Sequence, residues 1–549
     1  MSTVTFEHPS IGSIRGIEGD GVYQFHGVQY ATLKDRLAEA QVKTAYESPV
    51  DATSHGPSAY STPNGYENEM IFIQQSMPKP KTVHSDLECL NLNVTVPKGQ
   101  SGTELGKQKF PVFVWVHGGG FIVGANSWPH YDHGKLVKLA NDNGVPVIGV
   151  GINYRLGFPG LLTSEELRQK GYKANNSLID QRAAFRWVRQ HIAGFGGDPE
   201  NITVIGESAG AVATTLHLYS KEKLFNRAIA TGGSSLLVPV FELADQERTY
   251  QQVLSILGLE NMNAEERIQK LLTMPTDEVI AKLPPSVALL PTLDGDIIPV
   301  RPTYASVADK SDQSMPGKQW AEGLMIGNSG FDASVLGFML GHLKNGIKDK
   351  FPASIKSSLA SDPALADQIL ESYGFTGSSS AADSDNDDAA FLRFLEFAND
   401  ISFFAATTAY ARGWPASPAG ESNIYAFFFN EPNPWPGVYQ GRATHVLDVV
   451  FLFQNHNHNL SPAQRAAAEQ MGLDWMRFVA GQKPWDGYTP ENRAAKVYGP
   501  SAGDEATATS KVVDADSLET GRGKAILEVG EKVGFDRLNE IVGRFRLGL

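Results

Sequence analysis

Two glycine-flanked stretches and a handful of histidines are the places where this chain could do chemistry. In "NITVIGESAGAVATTLHL" (201–218), the β-branched run Ile202–Ile205 meets Gly206-Glu207-Ser208-Ala209-Gly210, and a helix-compatible segment follows at once. A serine between two glycines, after a strand and before a helix, is the setting that G-x-S-x-G requires: the turn is too tight for side chains two residues either side of the serine. The helix that follows points its N-terminus at the serine and favours negative charge there. In "VWVHGGGFIVG" (114–124), His117-Gly118-Gly119-Gly120-Phe121 directly follows an apolar strand-like run. Successive glycines let main-chain N–H groups approach a substrate carbonyl without obstruction, as in an oxyanion hole.

A serine hydroxyl needs a base, and the base needs an acid to orient it. In this arrangement the chain order is serine, acid, histidine. The histidines after Ser208 are His217, His342, His445, His456 and His458. His217 lies on the helix that Ser208 opens, with no room for an acid before it. His456 and His458, in "QNHNHN", lack a third ligand at useful spacing and read as a solvated loop rather than a metal site. His342 and His445 both remain, and many Asp and Glu could supply the acid. Glu207 reads equally as a satisfied buried carboxylate or as electrostatic support for an imidazolium.

The elements that must position these groups are legible in outline. The first third of the chain is β-rich, as in "VYQFHGVQY" and "LNLNVTVP". Continuous apolar runs follow in "FPVFVWVHGGG" (110–120) and "VPVIGVGINYR" (145–155), with a helical pattern in "LIDQRAAFRWVRQHI" (178–192). Strands that are apolar throughout, separated by helices, predict a mostly parallel sheet covered on both faces, an α/β architecture. Later segments such as "SPAQRAAAEQMGLDWMRFVAG" (461–481) read as helices. In "TGSSSAADSDNDDAA" (376–390), Asp383, Asp385 and Asp387 resemble half a calcium loop, but Asp388 and Phe394 stand where glycine and a carboxylate are needed, so a solvated linker is expected.

Composition narrows the field. The 549 residues are 42% hydrophobic and 20% charged, with a formal net charge of −14 and no dense basic run, which disfavours nucleic-acid binding. No signal-like start and no run long enough to span a membrane is visible, and the single cysteine, Cys89, precludes an internal disulfide, so a cytoplasmic location is expected. Nothing calls for a cofactor or a metal. The expected partner is a small-molecule substrate, and the oligomeric state is not legible.

With these residues in view, the chain resembles the type B carboxylesterase/lipase family, the cholinesterase-like branch of the α/β-hydrolases. The resemblance rests on "ANNSLIDQRAAFRWVRQHIAGFGGDPENITVIGESAG" (174–210), "FHGVQYA" (25–31), "SDLECLNLNV" (85–94), "INYRLG" (152–157) and "LDGDIIP" (293–299), and spans about residues 10 to 500. The helical stretches and "QKPW" (482–485) look like fungal members. The resemblance implies an α/β-hydrolase fold in one large domain over 1–549. A lid-like loop is expected near 59–88 and a helical insertion near 335–410. It selects Asp332, in "GNSGFDAS" (327–334), as the acid and His445, in "ATHVLDVVFLF" (443–453), as the base; His342 matches nothing. It carries the oxyanion donors to the N–H groups of Gly119, Gly120 and Ala209, and the acyl pocket to the region of Pro285 and Val287, where small residues suggest extra room.

Four departures qualify that picture. The acid is Asp332 rather than the family's usual glutamate. A serine usual beside the acid falls at Gly232, so water or another group must support Asp332. Cys89 has no partner to close the 59–88 segment, which is expected to be more mobile. The tryptophan that holds choline in cholinesterases falls near Pro78, and the first tryptophan is Trp115, so a choline-ester specialist is not expected. Ester hydrolysis through an acyl-enzyme on Ser208 is the function implied. A specialised esterase or acyltransferase of secondary metabolism or detoxification is the nearer alternative. A silent, adhesion-type binding protein is disfavoured because Ser208, Asp332 and His445 are all present.

Overall fold

The computed structural model describes residues 2–99, 106–376, 386–501, 511–514 and 522–546. Its centre is a 13-stranded sheet. The path across it runs Ser2–His8, Gly12–Glu18, Val22–Gln29, Asn91–Pro97, Ile148–Ile152, Phe110–Val116, Gly197–Glu207, Arg227–Thr231, Gly323–Ser329, Ile424–Phe429, Ala494–Tyr498 and Lys511–Asp514, with Val50–Asp51 beside Gly12–Glu18. Pairing is antiparallel along the N-terminal path, parallel from Ile148–Ile152 to Ala494–Tyr498, and antiparallel at Lys511–Asp514. The expected α/β sheet with an N-terminal β region is what forms.

The unbroken apolar runs have a direct cause. Successive side chains of a strand point to opposite faces, and here both faces are covered. Val112, Val114 and Val116 face one core with Ile202, Val204 and the helix Ala209–His217; Phe113 and Trp115 face the other with Ile205, Ile229 and the helices Leu447–Phe453 and Pro462–Val479. A third core unites Ser334–Met339, Ile347–Ser358, Pro363–Ser372 and Asp387–Asn399 with the C-terminal helices Arg522–Val533 and Phe535–Arg546. The helical insertion is therefore packed jointly with the C-terminus, which its own sequence does not signal. Asp383 and Asp385 lie outside the described residues, while Asp387 and Asp388 open a helix that Asn386 caps. Among the described residues no group of three or more His, Cys, Asp or Glu could hold a metal, and no helix is long and apolar enough to cross a membrane.

The sheet matters most at one end. Val116, Glu207, Thr231 and Ser329 are the last residues of parallel strands, paired in register as Gly206 with Val116, Glu207 with Thr231, and Thr231 with Gly327. The loops that leave these carboxyl ends carry His117–Gly120, Ser208, Gly232 and Asp332, the usual position for a ligand in an open α/β sheet.

Candidate active site

Ser208 stands between the strand Gly197–Glu207 and the helix Ala209–His217 with φ 53° and ψ −122°. A positive φ outside glycine is strained and is kept only where the surroundings enforce it. The two flanking glycines are part of that enforcement. A Cβ at Gly206 would fall 2.2 Å from the Gly210 carbonyl oxygen, and one at Gly210 would fall 2.0 Å from that of Val116. The Ser208 N–H donates to the Thr231 carbonyl at 3.0 Å, tying the turn to the neighbouring strand.

The glycine loop folds beside it. Gly119 and Gly120 have φ 94° and 62°, and the Gly119 carbonyl accepts from Ile122 and Val123 N–H, both at 3.0 Å. His117 is fixed underneath, its ring stacked on Tyr154 at 4.5 Å while its carbonyl accepts from the Tyr154 hydroxyl at 2.7 Å. Gly118 approaches closely enough that a Cβ there would lie 2.8 Å from Ser208 Cβ. Among the described residues, none of the N–H groups of Gly119, Gly120 and Ala209 donates to another protein group. These are the donors expected to face a substrate oxyanion.

Asp332 and His445 meet. His445 Nδ1 lies 2.7 Å from Asp332 Oδ1, with both side chains buried. A carboxylate only accepts, so Nδ1 carries a proton, and Nε2 offers a lone pair only when the ring is neutral. The second Asp332 oxygen accepts from the Ser329 N–H at 2.6 Å, and the His445 N–H donates to Ser334 Oγ at 3.1 Å. The acid and base loops are joined directly, by the Phe331 N–H to the Ala443 carbonyl at 2.8 Å and a bridge between Phe331 and Thr444. His445 Nε2 has no hydrogen-bond partner and lies 3.1 Å from Glu207 Oε1, the residue before Ser208. Gly232 and Gly233 run between: a Cβ on Gly232 would be 3.2 Å from both Asp332 Oδ1 and His445 Cε1, and one on Gly233 would be 2.7 Å from the Ser208 carbonyl oxygen. Three points far apart in sequence thus come together.

The electrostatics are those of a dry site rich in carboxyls. Burial alone would lower the His445 pKa, but Glu207 and Asp332 overcome it and raise it to about 9. Burial, reinforced by Glu69, Asp448 and Asp332, holds the Glu207 carboxyl well above its usual range against the pull of His445. Burial and then the Asp332 charge push Asp448 up to about 6, opposed by a hydrogen bond from Thr231 Oγ1.

Several of these groups go unmarked in the sequence. Ser329 supplies the support for Asp332 that the missing hydroxyl at Gly232 would have supplied. Asp448 lies three residues after His445, inside the stretch 443–453 quoted for it, and that proximity was the available signal. Glu69, in the lid-like segment, accepts from His130 Nε2 at 2.7 Å and from the Tyr131 hydroxyl. Val287 packs in a satellite core with residues such as Phe158, Leu162 and Tyr250, a cluster apart from the groups that touch Ser208 or His445. Leu237, whose methyl would meet a Cβ on Gly233 at 3.3 Å, lies nearer the serine. His456 is buried rather than solvated, packed on Trp435 at 5.5 Å, because its loop is drawn beneath the helix Pro462–Val479; His342 is exposed and away from the site.

Residues 2–509 match the sequence profile of the carboxylesterase family. The chain belongs to that family. It is 30% identical over 371 residues to the para-nitrobenzyl esterase of Bacillus subtilis, covering 63% of this chain and 71% of the relative. It is 28% identical over 495 residues to lipase 3 of Yarrowia lipolytica, covering 87% and 89%. It is 33% identical over 307 residues to the cholinesterase of Mus musculus, covering 52% and 48%. In fold it matches a solved para-nitrobenzyl esterase with a TM-score of 0.68 at 23% identity, over 94% of this chain and 99% of the other. A carboxylesterase of Geobacillus stearothermophilus matches equally, with a TM-score of 0.68 at 24% identity over 95% and 99%. The α/β-hydrolase fold and a carboxylic ester hydrolase activity are thereby shown for this member of the family.

Proposed function

We propose that this carboxylesterase works through an acyl-enzyme on Ser208. Ser208 Oγ attacks the ester carbonyl carbon while His445 Nε2 takes its proton. The oxyanion accepts from the N–H groups of Gly119, Gly120 and Ala209. The imidazolium then protonates the leaving alkoxide, and the neutral imidazole activates water to release the acid. Asp332 holds the imidazole with Nδ1–H toward itself and stabilises its cation. Proton transfer of this kind contributes about 10²–10⁴ in rate, and each oxyanion donor about 3–4 kcal/mol.

The observation that carries this reading is the state of His445. It is buried, bound through Nδ1 to Asp332, and left with a free Nε2 next to the residue that precedes Ser208. The test is Ser208→Ala in the full chain. It should abolish p-nitrophenyl acetate turnover and stoichiometric labelling by an organophosphate, with the circular dichroism spectrum unchanged. Retained turnover at wild-type rate would remove Ser208 from the mechanism.

A further inference from the structure

The lid-like segment was expected to hang loosely, yet its helix is fastened to the loop that carries the catalytic base. Gly65–Ile73 ends with carbonyls that the helix itself cannot satisfy. The Phe72 carbonyl accepts from Thr444 Oγ1 at 3.0 Å and from Asn433 Nδ2 at 3.1 Å, and the Ile73 carbonyl accepts from the same Asn433 amide at 3.1 Å. Gln74, next in the chain, donates to the Trp435 carbonyl at 3.0 Å and accepts from the Tyr439 N–H at 2.8 Å. Every one of these ties ends in residues 433–444, and Thr444 immediately precedes His445.

The consequence lies in the ring of Phe72. It stands edge-on to the His445 imidazole, 6.4 Å between centroids at 86°. Phe338, half exposed, meets Phe72 edge-on at 6.2 Å, and Tyr439 lies stacked at 6.3 Å and 28°. Behind Tyr439, the Arg442 guanidinium sits 4.5 Å over Phe331. His445 must hand its proton to the leaving oxygen, so the alcohol part of the ester lies beside this imidazole as the bond breaks.

We propose that Phe72 is a specificity-determining residue for the alcohol part of the ester, and that Thr444 and Asn433 are positioning residues that hold it there. The preferred alcohol is flat and apolar, able to meet aromatic rings edge-on or offset. The inference rests on the serine-esterase reading above and deepens it.

The test compares two esters with the same acyl group, phenyl acetate and ethyl acetate, on the full-length protein. Active sites are counted by organophosphate labelling so that misfolded protein drops out. Phe72→Ala should lower kcat/KM for phenyl acetate about three- to tenfold relative to ethyl acetate. Phe72→Leu, which nearly keeps the volume, should move the ratio the same way. Thr444→Val should lower the ratio mainly through KM, and Thr444→Ser should restore it. An unchanged ratio in both Phe72 variants overturns the specificity role, and a Thr444→Ser enzyme behaving like Thr444→Val overturns the clamp. The Ser208→Ala control fails or succeeds independently: if it still hydrolyses either ester, the serine mechanism is wrong whatever Phe72 does.

Discussion

Replacing Asp332 by asparagine tests the site at its most constrained atom pair. Asp332 uses one oxygen for His445 Nδ1 and the other for the Ser329 N–H. Asparagine has one oxygen. If that oxygen stays on Ser329, the amide NH2 faces Nδ1, which must then accept, and the proton moves to Nε2, where the base needs its lone pair. If the amide flips, Nδ1–H is satisfied but two donors confront each other at Ser329 in a buried site. A buried donor left without a partner costs about 1–3 kcal/mol, which leaves roughly 1–15% of molecules with the competent tautomer. The neutral amide also forfeits the charge-assisted bond to the imidazolium, about another 1.5–3 kcal/mol. Multiplied, these predict a kcat about 10²–10⁴ below wild type with KM little changed, and a parallel fall in the rate of organophosphate labelling. A variant within about tenfold of wild type would refute the argument, since Asp332 would then not be setting the tautomer.

Two further outcomes follow from the surrounding charges. Glu207→Gln removes the first of the groups that raise the His445 pKa to about 9. The low-pH limb of kcat/KM, which climbs as His445 loses its proton, should move toward acid; a limb that stays put or moves toward alkali refutes the coupling. Thr231→Val removes the hydroxyl that donates to Asp448, whose pKa already stands at about 6 against an ordinary 3.8. An acid with a raised native pKa loses stability as pH climbs from its unfolded value through its folded one. The variant should therefore unfold more easily in urea by about 1–3 kcal/mol at pH 8 and by less at pH 5; an equal loss at both pH values defeats the titration argument.

What the sequence discloses and what it withholds divide along sequence separation. Gly206, Ser208, Gly210 and the Gly118–Gly120 loop are legible because each is a short contiguous motif directly after an apolar strand-like run, although the contact that keeps Gly210 bare is with the remote Val116 carbonyl. The strands are legible because burial on both faces leaves an uninterrupted apolar run. Asp332 and His445 are 113 residues apart, and only resemblance to a family picked them from many acids and two histidines. Thr231 and Asp448, 217 apart, could not be paired at all. The solvated expectation for His456 misses because packing between remote elements leaves no period in its segment.

The lone cysteine shows how such remote contacts act together. Cys89 is buried outside any disulfide, its thiol donating to the Asp86 carbonyl at 3.9 Å, and burial pushes that thiol up to about 12, so it is an inert core residue. A disulfide closing a loop the size of 59–88 would contribute about 3–4 kcal/mol. The segment is closed by other means. Ser58 N–H donates to the Val83 carbonyl at 2.8 Å and Ser85 N–H to the Ser58 carbonyl at 3.1 Å. Asp86 pairs with Arg36 at 2.8 Å and accepts from Thr276 Oγ1 at 2.7 Å. With Glu69 on His130 and the Phe72 carbonyl on Thr444, these six bonds at about 0.5–1.5 kcal/mol each contribute together at least as much as such a cross-link. They differ from it in reach: a disulfide holds the two ends of the loop together, whereas these ties also reach its middle, where Phe72 stands edge-on to His445.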